Sequence, residues 1–158
     1  MKIPLVDVYA QNSALSGEIN IAIDAVINSS SFIGGAEVES FEKSFAQRHG
    51  GGYVIGVGSG SDALNLALKS LGLKPGDEVI TVPNTWISTV FAISHSGATP
   101  VFADINPETY QIDIAQLEKR ITPSTKAVVA VHMFGHPAPM NEILALCRPK
   151  GIRGIEDV

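Results

Sequence analysis

Apolar positions in the first third of the chain recur at helical spacing. Ile19, Ala22, Ile23, Val26 and Ile27 lie three or four apart or side by side on one stripe, which predicts an amphipathic helix over 13–29. Ser29-Ser30-Ser31-Phe32-Ile33-Gly34-Gly35 breaks it. Val38, Phe41 and Phe45 then mark one face of a second helix over 37–49, which Gly50-Gly51-Gly52 stops. From Tyr53 the pattern changes to short apolar runs. Tyr53–Val57, Glu78–Val82, Pro100–Ala103, Ala127–Met133 and 151–157 are predicted as strands. Helical patterns lie between them, from about 61 to Gly72, and over 85–96, 113–120 and 139–149. Lys74-Pro75-Gly76-Asp77 reads as a turn.

Short strands alternating with helices predict an α/β fold on a mainly parallel sheet. No linker, repeat or low-complexity tract divides the chain, so one domain is expected. Ligands on such sheets bind beyond the carboxyl ends of the strands. Gly58–Asp62, Pro83–Trp86 and Glu156–Asp157 occupy that position.

The junction at Tyr53–Leu68 carries the first chemical signal. A strand pattern runs into Gly58-Ser59-Gly60-Ser61-Asp62, and a helix pattern follows at once. The first N–H groups of a helix lack intrahelical partners and sit at the positive end of its dipole, so this loop suits an anion such as phosphate. The same residues also suit an ordinary turn capped by Ser or Asp. Two nucleotide loops fail on spacing. No Gly-Lys-Ser/Thr follows the glycines, the first later lysine being Lys69, and the sixth position of a dinucleotide fingerprint begun at Gly56 is Ser61.

Two further residues bear on what the loop would hold. Trp86 follows a strand end, where it could stack on a planar ligand or simply pack as core. Asp157 puts a carboxylate at the end of the last strand, where it could cap a helix or keep a pyridine nitrogen protonated. Phosphate loop, flat aromatic and acid together describe pyridoxal 5'-phosphate.

Composition changes the picture in three ways. Apolar residues make up 45%, mean hydropathy is +0.21 and only 17% are charged, against about 25% in ordinary domains. Some of this surface is therefore expected to meet another chain or further polypeptide. A net charge of −5 argues against nucleic acid as a partner. The lone Cys147 excludes an internal disulfide and a multi-cysteine metal site. Met1-Lys2-Ile3-Pro4 is no signal peptide and no run approaches a membrane span, so a cytoplasmic location is the default expectation.

The chain resembles the DegT/StrS-type, fold-type I sugar aminotransferases. Gly58-Ser59-Gly60-Ser61-Asp62-Ala63-Leu64, Pro75-Gly76-Asp77-Glu78-Val79-Ile80, Pro83-Asn84-Thr85-Trp86 and Ile155-Glu156-Asp157 carry the resemblance. Ile3-Pro4-Leu5-Val6-Asp7, Phe32-Ile33-Gly34-Gly35, Gly97-Ala98-Thr99-Pro100-Val101 and Ile121-Thr122-Pro123-Ser124-Thr125-Lys126-Ala127 extend it nearly end to end. It implies a three-layer large domain, of which residues 1–158 are an incomplete amino-terminal part preceded by a helical arm over 1–50, with no second domain. It implies pyridoxal 5'-phosphate with its phosphate at Gly60, Ser61 and Asp62, its ring on Trp86 and its ring nitrogen at Asp157. The implied reaction moves an amino group from an amino acid, glutamate for example, to a nucleotide-linked keto sugar, in a homodimer.

The family's Schiff-base lysine lies beyond the acid motif, and none of Lys2, Lys43, Lys69, Lys74, Lys119, Lys126 or Lys150 matches it. The 158-residue chain alone is therefore expected to be unstable or partner-dependent, and unable to transaminate. The strand at 53–57 is expected to lack the neighbours that would join it to the other strands. Two alternatives stay open: a sugar dehydratase on the same scaffold, with histidine for the lysine, and a non-catalytic interaction protein from a truncated gene. His95, His132 and His136 are too scattered for a metal site, though His132 or His136 could reach substrate, and Cys147 reads as packing.

Overall fold

A computed structural model describes residues 6–158, so the Ile3-Pro4-Leu5 part of the first family-like word lies outside the described residues. The chain divides into two compact units, one up to Gly56 and one from Val57 to Val158.

The first unit is two helices. α1 spans Val8–Ser29, and the Asp7 carboxylate caps it by accepting the Ala10 N–H at 2.9 Å. It starts five residues before the 13–29 prediction because this cap stands ahead of the apolar stripe. Ser30 ends it in the left-handed region at φ 53°. α2 spans Ala36–Arg48. Neither helix has a buried residue: Ile23 and Ile27 of the first stripe and Phe41 and Phe45 of the second all stand exposed. The apolar stripes make helices here without making a core. Residues 52–57 follow without regular secondary structure, and the strand predicted over Tyr53–Val57 does not form. A strand is defined by its ladder, and among the described residues this segment has none. Gly56 N–H instead donates to the Glu42 carboxylate at 2.7 Å.

The second unit is the α/β fold expected. Its helices are α3 (Gly60–Ser70), α4 (Ile87–His95), α5 (Ile114–Arg120) and α6 (Met140–Cys147). Its strands are β1 (Glu78–Thr81), β2 (Thr99–Phe102), β3 (Thr125–Val131) and β4 (Arg153–Asp157). They form one parallel sheet in the order β2-β1-β3-β4. Strand alternation sorts side chains onto two faces. Val79, Ala127 and Val129 pack with Leu64, Leu68, Ala92 and Ile93 of α3 and α4. Ile80, Val128 and Ala130 pack with Leu117, Ile143 and Cys147 of α5 and α6. The result is three layers, helix, sheet and helix. The chain leaves β1 for β2 on one side, then crosses back to β3 on the other. The carboxyl ends of β1 and β3 thus flank a topological switch point, where ligands of open α/β sheets bind.

Candidate functional site

The glycine loop delivers α3 with a capped but open N-terminus. Ser59 is the N-cap: its Oγ accepts the Asp62 N–H at 3.2 Å and donates to Asp62 Oδ2 at 2.9 Å. The turn-cap reading of the sequence therefore holds for Ser59 and Asp62. Among the described residues, the N–H groups of Gly60 and Ser61 have no acceptor. A Cβ added at Gly60 would meet nothing within 4 Å, so the approach to these donors is open. Two free amides at the positive end of an eleven-residue helix suit a phosphate. The Asp62 carboxylate, being negative, cannot itself take one. It acts on the loop by fixing the Ser59 hydroxyl.

The second helix N-terminus stands beside the first. Ser61 Oγ donates to Ser88 Oγ at 2.8 Å, tying the first turn of α3 to the first turn of α4. Trp86 is the residue before α4 and is 78% exposed, so it is not core and its ring face is open. Thr89, one residue past Ser88, donates from Oγ1 to Asp157 Oδ2 at 2.7 Å. Asp157 closes β4 and is half-buried. Loop, tryptophan and acid are thereby brought to the carboxyl edge of one sheet, through Ser88 and Thr89. Trp86 stands two residues before Ser88 and three before Thr89, and its carbonyl accepts the Thr89 N–H at 3.1 Å.

The residues that make these links, Ser88 and Thr89, and Thr85, whose hydroxyl lies 2.8 Å from that of Thr89, escaped the sequence reading. Hydroxyls at positions 85 and 89, four apart at a helix start, were the available signal. Gln111 was missed as well. It is 2% exposed, donates from Nε2 to the Met133 carbonyl at 3.0 Å and accepts the Met133 N–H at 3.3 Å. It clamps the turn after β3, where Phe134 takes φ 56°.

The histidines divide. His132 Nδ1 accepts the Ala138 N–H at 2.9 Å, so in the neutral ring Nε2 carries the proton and donates to Glu156 at 3.1 Å. Both ring nitrogens are engaged in holding the loop over 132–138 against β4. His136 is exposed, and His95 stacks on Phe91 at 6.2 Å. Among the described residues no three His, Cys, Asp or Glu side chains gather to hold a metal. Cys147 is buried, and burial pushes its thiol above its ordinary value, with Lys150 pulling weakly the other way.

The profile of the DegT/DnrJ/EryC1/StrS aminotransferase family matches residues 14–158, and the chain belongs to that family. It is 43% identical over 155 residues to a UDP-N-acetyl-3-dehydro-alpha-D-glucosamine 3-aminotransferase of Acidithiobacillus ferrooxidans, covering 98% of this chain and 42% of that protein. The crystal structure of S. venezuelae DesV, in complex with a ketimine intermediate, superposes with a TM-score of 0.95 at 40% identity, over 99% of this chain and 42% of that one. The E. coli GDP-4-keto-6-deoxy-D-mannose-3-dehydratase with bound hydrated PLP gives a TM-score of 0.83 at 34% identity, over 88% and 37% of the two chains. The chain thus spans about two fifths of the length of the proteins it resembles. No helix among the described residues is long and apolar enough to cross a membrane.

Proposed function

We propose that the whole protein moves an amino group from an amino-acid donor, glutamate for example, to the carbonyl carbon of a nucleotide-linked keto-deoxy sugar. The cofactor is pyridoxal 5'-phosphate. The observation that carries this reading is the pair of side-chain bonds, Ser61 to Ser88 and Thr89 to Asp157, which brings an open helix N-terminus, an exposed tryptophan and a carboxylate to one sheet edge. The names of the family and of the relatives above support the substrate class.

Each residue has a definite task. The Gly60 and Ser61 N–H groups bind the phosphate; the Ser61 hydroxyl joins them when its bond to Ser88 reverses, Ser88 then donating and the Ser61 proton turning to the phosphate, and Asp62 holds Ser59 so that these donors face outward. Trp86 offers a ring face to the pyridine. The Asp157 carboxylate holds a proton on the pyridine nitrogen. When bound, the cofactor supplies the electron sink that stabilises negative charge at the carbon carrying the amino group. In the unit from Val57 the lysines offer no amine at this edge: Lys69 sits in the last turn of α3, and Lys74, Lys119, Lys126 and Lys150 on a turn, helices or a strand start. By this reading residues 1–158 alone do not transaminate, and the active unit is a homodimer of the whole protein in the cytoplasm.

The likeness to a sugar dehydratase supports a second reading, loss of a sugar hydroxyl on the same scaffold. One experiment separates the two. The whole protein is supplied with pyridoxal phosphate, glutamate and nucleotide-linked keto sugars, and the product is weighed by mass spectrometry. An amino group in place of the carbonyl oxygen supports transfer. A product short of one hydroxyl and bearing no nitrogen from glutamate supports the dehydratase, and unchanged sugar contradicts both.

A further inference from the structure

Thr89 stands where two of the proposed cofactor contacts meet. Its N–H donates to the Trp86 carbonyl at 3.1 Å and its hydroxyl to Asp157 Oδ2 at 2.7 Å. The residue is 1% exposed. A threonine in the first turn of a helix has backbone partners for its hydroxyl close by in sequence. Thr89 instead reaches a carboxylate on another element, 68 positions along the chain. A hydroxyl has one proton to give, and that of Thr89 goes to Asp157. Its 2.8 Å contact with Thr85 Oγ1 therefore has Thr85 as donor. The relay runs in one direction, Thr85 to Thr89 to Asp157. It occupies Oδ2 and leaves Asp157 Oδ1 without a hydrogen-bond partner among the described residues.

We propose that Thr89 is a positioning residue: it fixes the Asp157 carboxylate through Oδ2 and keeps Oδ1 available to a protonated pyridine nitrogen, with Thr85 setting the direction of the Thr89 hydroxyl. This rests on the reading of Asp157 given above. A hydrogen bond to an ionised acceptor is among the stronger ones, and a carboxylate oxygen left buried without its donor is costly. Removing the donor therefore disorders or reorients the carboxylate at the point where the ring nitrogen must meet it.

The test compares two probes on the whole apoprotein: pyridoxal phosphate and its 1-deaza analogue, in which C–H replaces the ring nitrogen. Thr89→Val keeps the shape and loses the donor, whereas Thr89→Ser keeps the donor and loses a methyl. Thr89→Val is expected to bind pyridoxal phosphate about tenfold more weakly than the wild type, with affinity for the analogue unchanged. Thr89→Ser is expected to stay within about twofold for both probes. Equal weakening toward both probes in Thr89→Val, or a serine variant as impaired as the valine one, assigns Thr89 a packing role and overturns the proposal. Should Thr89→Val not fold, Thr85→Val replaces it, with a smaller loss in the same direction and again confined to the cofactor. A loss there toward both probes, or none, also overturns it. Asp157→Ala separates the two levels of the argument. If it does not discriminate between the probes, the assignment of Asp157 falls and this inference with it. If it discriminates and the threonine variants do not, only the inference about Thr89 falls.

Discussion

α1 and α3 are both amphipathic by sequence, yet only one of them builds anything. α1 runs for 22 residues with an apolar stripe and buries none of them, whereas α3 runs for 11 and buries Leu64 and Leu68 against the sheet. The difference is not propensity, because both form and both are capped by a side-chain oxygen accepting a first-turn N–H. A stripe at period 3.6 specifies which side of a helix is apolar. Burial needs a second surface, and in the unit from Val57 the sheet provides it. The same contrast governs chemistry: the buried hydroxyl of Thr89 and the clamp of Gln111 exist only where packed layers hold side chains in one place.

That contrast can be broken most sharply by removing core volume. Ile143→Ala, at a fully buried position under the sheet, should cost about 2–5 kcal/mol in urea denaturation of the whole protein. Ile21→Ala on α1, which is 73% exposed, should stay within about 0.5 kcal/mol. A cost at Ile21 approaching that at Ile143 would mean that the whole protein covers this face of α1. At the site, Asp157→Ala should lower the rate of amino transfer on the order of 100-fold, the scale of losing one preorganised charged group beside the reacting centre. Steady-state kinetics at saturating cofactor would show it.

Capping gives a smaller effect. Asp113 accepts the Gln116 N–H at 2.8 Å at the start of α5, which carries buried Leu117. Asp113→Ala should cost about 1 kcal/mol of global stability. Asp7→Ala removes the equivalent bond on α1 and should fray that helix, seen by amide exchange, without shifting the main unfolding transition. The smallest effect concerns pH. Burial raises the Cys147 thiol, so folding disfavours the thiolate. The associated stability is fully present below the ordinary thiol value of 9.0 and is lost as pH climbs from there through the raised value. Thiol labelling at pH 8 should accordingly be slow until the protein is unfolded.

Most of the packed unit was legible from period alone. β1, β2, β3 and β4 begin and end within two residues of their apolar runs, because strands packed between layers leave continuous Val, Ile and Ala tracts such as Ala127–Val131. Tyr53–Val57 has a similar tract and forms no strand, since a tract says nothing of whether a ladder partner is present. Residues 60, 61, 62, 86 and 157 could be picked out because each stands at a strand or helix end, where special residues are visible. Thr85, Ser88 and Thr89 could not. Their roles depend on which helix N-termini the fold places side by side, and hydroxyls in a first turn are commonplace in sequence. Gln111 is a single polar residue whose meaning comes from Met133, far along the chain.

The central claim is that the N-terminus of α3 and its glycine loop hold the phosphate of the cofactor. Its most direct test is the ratio of affinities of the whole apoprotein for pyridoxal phosphate and for pyridoxal, which lacks the phosphate, in the wild type and in Ser61→Ala. The account predicts a strong preference for the phosphorylated form and a clear fall in that preference, on the order of tenfold, when the Ser61 hydroxyl is removed. A preference left intact by Ser61→Ala would take the hydroxyl out of the cradle. A wild-type ratio near one would contradict the claim.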